Sequence, residues 1–137
     1  MRESLLRDFL RGSRDAAALA LGLEDVRGRG PLVRGRNMTV DLEEEVPVGR
    51  EDLVRLCDAV LEGELDTDDL RGAARFLLAA DHFTWDETTP GGGLVSQVLR
   101  EWSDPQRHYP MTTGNLRRYR QGLVAGTHPF TRGGSGP

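Results

Sequence analysis

Two amphipathic segments follow one another between residues 50 and 78, and they commit the chain to packing helix on helix. In Arg50 to Leu61, Leu53, Val54, Leu56, Cys57, Val60 and Leu61 recur at i, i+1, i+3, i+4, i+7 and i+8, a stripe that a helix gathers on one side. Glu51 and Asp52 occupy its first turn, where carboxylates suit the helix dipole, and Gly63 stops it. Asp66 then opens a second helix as its cap, with Asp69 three residues on and Leu65 placed to staple against Leu70. Leu70, Ala73, Ala74, Leu77 and Leu78 define its buried face. The short turn between the two predicts an antiparallel helical hairpin.

The same reading extends to both flanks. Leu5, Leu6, Phe9 and Leu10 predict a helix over 3–10 that Gly12 interrupts, and Asp15 to Leu23 is a short, buried, alanine- and leucine-rich helix that Ser13 can cap. Residues 27–37 have many glycines and no periodicity, which predicts a mobile loop carrying Arg27, Arg29, Arg34 and Arg36. Met38, Val40 and Leu42 alternate with polar residues, as a short strand or an extended packing arm would, and the one partner for a strand lies near Phe83 to Trp85. Thr88 to Gly93 reads as a turn, because proline and three glycines oppose helix. A helix follows from Leu94 to about Trp102, with Leu94, Val95, Val98, Leu99 and Trp102 inward. A last helix, capped by Thr112 or Thr113, runs to about Val124 with Leu116, Tyr119, Leu123 and Val124 on one face.

A chain of 137 residues is one domain by size. The expectation is therefore a mainly α, small single-domain bundle of four to six helices over 1–125, with at most one short strand element around Met38 to Leu42. Residues 126–137 lack a core pattern and read as a disordered tail. The N-terminal stretch is charged throughout, with no apolar run of signal-peptide type, and nothing approaches the ~20 apolar residues that span a bilayer, so a cytoplasmic protein without membrane contact is expected.

Catalytic chemistry finds little support in the residues. All 18 basic residues are arginine, so no lysine can form a Schiff base or act as a general base. The lone Cys57 excludes an internal disulfide and a cysteine-cluster metal site, and it falls on an apolar helix face. His82 lies near Asp81 and Asp86, while His108 and His128 lie in loops, and no two histidines are a helical turn apart as paired metal ligands would be. An enzyme or metal site around His82 and Asp86 is thus a third reading, behind the plain one in which these groups bond the end of the preceding helix. The glycine run lacks the lysine and hydroxyl residue of a phosphate loop, and no serine sits in a nucleophile elbow. No catalytic residue, metal or cofactor is expected.

Charge is distributed very unevenly. Residues 41–69 hold 12 of the 22 carboxylates and 2 of the 18 arginines, a formal charge of −10, against +6 for the remainder. On the predicted hairpin Glu51, Asp52, Asp58, Glu62, Glu64, Asp68 and Asp69 lie off the apolar stripe, with opposing arginines expected to be scarce. Such a face is either plain solvation or a docking surface that steers and captures a basic partner. Nucleic acid is disfavoured as principal partner by that −10 segment, although Arg27 to Arg36 and Arg117, Arg118 and Arg120 around Tyr119 keep an accessory nucleic-acid role as the alternative.

Residues 70–87, LRGAARFLLAADHFTWDE, followed by a glycine turn and the helix LVSQVLREW at 94–102, resemble small bacterial immunity proteins of the colicin D type. The likeness covers about a quarter of the chain and consists of helix, aromatic hinge and helix. It implies a helical, acidic, non-enzymatic protein that masks a basic partner, such as a toxin nuclease domain, so that RNA cannot enter the nuclease's active site. It assigns no individual residue a role, and the long segment before residue 50 departs from the pattern.

Overall fold

A computed structural model of the chain describes residues 1–28 and 30–130; Arg29 of the arginine-rich loop and 131–137 of the expected tail lie outside the described residues. The domain is mainly α. Its helices are α1 (Glu3–Leu10), α2 (Ala16–Leu23, continued by one 3-10 turn at Glu24–Val26), α3 (Arg50–Leu61), α4 (Thr67–Ala79), α5 (Pro90–Ser103) and α6 (Thr113–Ala125). The two short strands β1 (Val46–Pro47) and β2 (Phe83–Thr84) pair in parallel, Val46 opposite Phe83 and Pro47 opposite Thr84.

The core explains the order of elements. Leu53, Leu56 and Cys57 of α3, Leu70, Ala73, Phe76 and Leu77 of α4, Val98, Leu99 and Trp102 of α5, and Leu116, Tyr119 and Leu123 of α6 form one buried cluster. Although α3 and α4 are neighbours in sequence, the most extensive packing is α4 on α5 and α3 on α6, and the α1–α2 pair leans on both α3 and α4. The Cys57 thiol donates to the Leu116 carbonyl at 3.1 Å across the α3–α6 contact, and burial pushes its pKa up to about 12. It is a small core hydrophobe.

Local chemistry sets the helix ends much as read from the sequence. Asp66 accepts from the Asp69 N–H at 2.8 Å while Asp69 accepts from the Asp66 N–H at 3.1 Å, closing a reciprocal box at the start of α4. Asp52 accepts from the Gly49 N–H at 2.8 Å at the start of α3, and Thr112 caps α6 through the Asn115 N–H. Gly63, at φ +78°, ends α3 in the left-handed conformation that side chains resist. Asp15, in place of Ser13, caps α2 by accepting from the Ala18 N–H at 2.9 Å.

Several expectations need correction. Helix α5 starts at Pro90 and takes all three glycines into its first turn, where proline needs no N–H partner and Thr89 Oγ1 accepts from the Gly92 N–H at 3.0 Å. The strand partner of 83–84 is Val46–Pro47, because the Val46 and Val48 N–H groups reach the His82 and Thr84 carbonyls while Pro47, lacking a donor, sits between them. Met38 and Leu42 are buried with Val40 outward, so that stretch is the packing arm; its Thr39 exchanges backbone bonds with Met1 and Glu3. Leu78 and Val124, expected inside, are exposed at the edge of their stripes.

Two segments expected to be loose are tied down over their described residues. Arg75 donates to the Gly28 carbonyl at 2.5 Å and to that of Gly30, Arg71 donates to the Arg27 carbonyl, and Arg34 pairs with Asp81, so arginine forks from α4 hold the expected mobile loop. Residues 126–130 of the expected disordered tail reverse at Gly126, φ +82°, and lie against α6 at the side-chainless Gly122. The side chain of His128 is buried there, and Phe130 stacks on Tyr109 with ring centroids 4.3 Å apart. None of the helices among the described residues is long and apolar enough to cross a membrane.

Candidate functional site

The seven carboxylates expected to form a docking face divide into two groups once folded. Asp52 and Asp69 serve as helix caps, and burial pushes both carboxyls up from the usual range. Asp69 is 4% exposed. Arg27 bridges Asp66 at 2.7 Å and approaches Asp69 at 3.5 Å and Asp68 at 3.9 Å, while Arg71 lies 3.8 Å from Asp68. Asp58 pairs with Arg120 of α6 at 2.5 Å. Arg27 and Arg120 come from outside the hairpin and Arg71 from within α4, and the expectation that opposing arginines would be scarce is corrected for Asp58, Asp68 and Asp69.

Glu51, Glu62 and Glu64 form the second group. They are exposed, and among the described residues none has a salt-bridge partner. With Asp15 and Asp58 they line a groove of about 420 Å³ between the start of α2 and the length of α3, floored by Phe9, Ala16, Val54 and Ala59. Arg14 and Arg55 also line it, so the groove has five carboxylates against two guanidinium groups. A hydrogen bond that the protonated Glu62 carboxyl donates to Glu64, together with the Glu64 charge, holds the Glu62 carboxyl above the usual carboxylate range.

That crowding has a sign that can be measured. A carboxyl raised in the folded state contributes stability at acid pH and loses it as pH rises through its titration. Glu64→Gln is therefore expected to raise the melting temperature slightly at pH 7, with the gain vanishing below the carboxylate range; thermal melts of both proteins at the two pH values check this.

The alternative sites are largely engaged in structure. His82 Nδ1 is 3.1 Å from both oxygens of the buried Glu3, and Asp86 accepts from the Thr88 N–H and hydroxyl. Hydrogen bonds from Thr88 hold the Asp86 carboxyl below its usual range. The two residues thus have separate structural partners. His108 is exposed on the connection between α5 and α6, and no three His, Cys, Asp or Glu side chains gather as a metal set among the described residues. Of the arginines considered for nucleic acid, Arg27, Arg34 and Arg120 are ion-paired, and Arg118 lies over the Phe130 ring at 4.4 Å. Tyr119, as its periodicity with Leu116 and Leu123 predicts, is fully buried.

Sequence reasoning missed the buried acids Glu3 and Glu101. Glu3 is three and seven residues before Leu6 and Leu10, and Glu101 is three and seven after Val98 and Leu94, so both stand on core faces where a charge signals a specific partner. Glu101 Oε1 accepts from the Tyr119 hydroxyl at 2.7 Å and lies 2.7 Å from His128 Nε2. His128 Nδ1 accepts from the Phe130 N–H, which leaves the ring proton on Nε2 facing Glu101. Burial, then the bond to Glu101, raises the Tyr119 hydroxyl's pKa.

The stretch that resembles immunity proteins forms most of α4, β2 and most of α5, with Phe83 buried at the hinge and Trp85 half-buried. No protein-family model matches the chain, and neither a curated protein nor a solved structure does.

Proposed function

We propose that the chain is a non-enzymatic protein-binding module of immunity type, which receives a basic segment of a partner protein in the groove between α2 and α3. The observation that carries this reading is that Glu51 at the start of α3 and the adjacent Glu62 and Glu64 at its end, exposed and without ion-pair partners among the described residues, line that groove with Asp15 and Asp58. Like charges placed together at a surface disfavour one another and are relieved by an arriving cation, which supplies both attraction and a fast, salt-sensitive encounter. The local likeness of residues 70–102 to immunity proteins supports the same class of partner, a basic toxin domain.

The face is smaller than the charge count suggests. Asp52, Asp68 and Asp69 act within the fold, so Glu51, Glu62, Glu64 and the rim carboxylate Asp58 carry the proposal. An arginine-rich peptide, labelled for fluorescence anisotropy, is the probe. The variant Glu51→Gln/Glu62→Gln/Glu64→Gln is expected to melt at or slightly above the parent's temperature at pH 7 and to bind at least about tenfold more weakly at low salt, with a shallower dependence on salt. Equal affinity and an equal salt slope in the two proteins would remove the groove from the account.

A further inference from the structure

A second recess lies on another part of the molecule. It has about 550 Å³, within the ~300–1,000 Å³ range of small-molecule sites, and is lined by Glu87, Gly93, Ser96, Gln97, Arg100, Glu101 and His108. Two of its carboxylates differ in what offsets them. Glu87 accepts from the Ser96 hydroxyl and lies 3.2 Å from Arg100, so it has a counter-charge within the recess. Glu101 has none. It is 6% exposed, and its partners are a phenol, an imidazole whose other nitrogen already accepts a hydrogen bond, and the Gln97 amide at 3.4 Å.

A buried carboxylate is ordinarily matched by a cation or by several strong donors. Here both short bonds fall on Oε1, while Oε2 meets only the distant Gln97 amide. No arginine bridges Glu101 among the described residues, and the side chain lines the recess. We propose that this recess between α5 and the connection to α6 binds a single organic cation, a primary ammonium or a guanidinium, with Glu101 as its counter-charge. The Gln97 amide oxygen and the Ser96 hydroxyl are further acceptors along the wall. The site is separate from the α2–α3 groove, and its failure would leave that reading untouched.

The test uses n-butylammonium and n-butylguanidinium as probes, with n-butanol as the uncharged control, followed through the amide resonances of Ser96, Gln97, Glu101 and His108. Saturable binding of the two cations but not of the alcohol is expected, at least about tenfold weaker in Glu101→Gln, which keeps an acceptor for Tyr119 and His128 while removing the charge. Gln97→Arg places a guanidinium one turn before Glu101 and is expected to abolish binding in a protein at least as stable as the parent. That second variant decides the matter if Glu101→Gln does not fold. Equal binding of the alcohol, retained binding in Gln97→Arg or in a folded Glu101→Gln, or no saturation up to about 50 mM cation would overturn the site.

Discussion

Gly92→Ala is expected to destabilise the protein by about 3 kcal/mol or more, with a fall in melting temperature on the order of 10 °C, whereas Gly91→Ala, one residue away, should be neutral or slightly stabilising. A Cβ on Gly92 would stand 1.8 Å from the Asp86 carbonyl oxygen and 2.5 Å from its carbon, both backbone atoms. That backbone has little freedom to retreat. Asp86 accepts at its carbonyl from the Thr89 hydroxyl at 2.7 Å and at its side chain from the Thr88 N–H at 2.9 Å, and the segment follows directly from β2. The substitution must therefore break the cap of α5 or move the loop off it. A Cβ on Gly91 meets only Arg50 Nε at 4.0 Å, an ordinary contact, so there alanine's better helix propensity prevails. Chemical denaturation of the pair separates a steric requirement from a propensity effect.

His82→Ala is expected to cost about 3 kcal/mol, more than a partly exposed histidine would suggest. Glu3 is fully buried, and among the described residues the only other hydrogen bond to its carboxylate is a long one, 3.4 Å, from the Leu42 N–H. Removing the imidazole leaves a carboxylate in the interior with almost nothing to offset it, so the α1 contact with the 38–42 arm and the end of α4 must open or take up a proton. The double variant His82→Ala/Glu3→Leu should recover most of the loss, because the uncompensated charge is gone and an apolar side chain fits beside Leu6 and Leu42. Urea titrations of the two variants test this. If the double variant is no more stable than the single one, lost packing by His82, not the orphaned charge, sets the cost.

These two positions also show where the sequence was legible. Periodicity and caps located α1 and α3 at their observed bounds, α6 nearly so, and the reciprocal Asp66–Asp69 box at the start of α4, because these signals are local and each helix carries its own. The glycines of α5 were misread for a local reason: composition cannot reveal that Asp86 passes over Gly92 or that Pro90 holds the first helical position. Long-range pairings were beyond reach for the same reason. The arginine forks that order residues 27–34, the parallel pairing of Val46 with Phe83, and the return of His128 to Glu101 all join residues more than 25 positions apart.

The candidate site was half legible. Its acidity was plain in the charge count, but which carboxylates stay available depended on Arg27, Arg71 and Arg120, whose reach only the fold determines. The proposed docking surface is thereby narrowed from the whole hairpin to its α2-facing groove. Electrostatic attraction then acts over a compact surface, which a single basic segment can cover.

The most direct test of that claim is a titration of isotopically labelled protein with the arginine-rich peptide, followed by amide chemical shifts at low and at moderate salt. Binding in the groove predicts saturable shifts at Asp15 and Ala16 and along Glu51 to Glu64, which fade as salt is added. Shifts confined to the Arg117–Arg120 face or to the loop around Arg34, or no saturable shift at low salt, would contradict it.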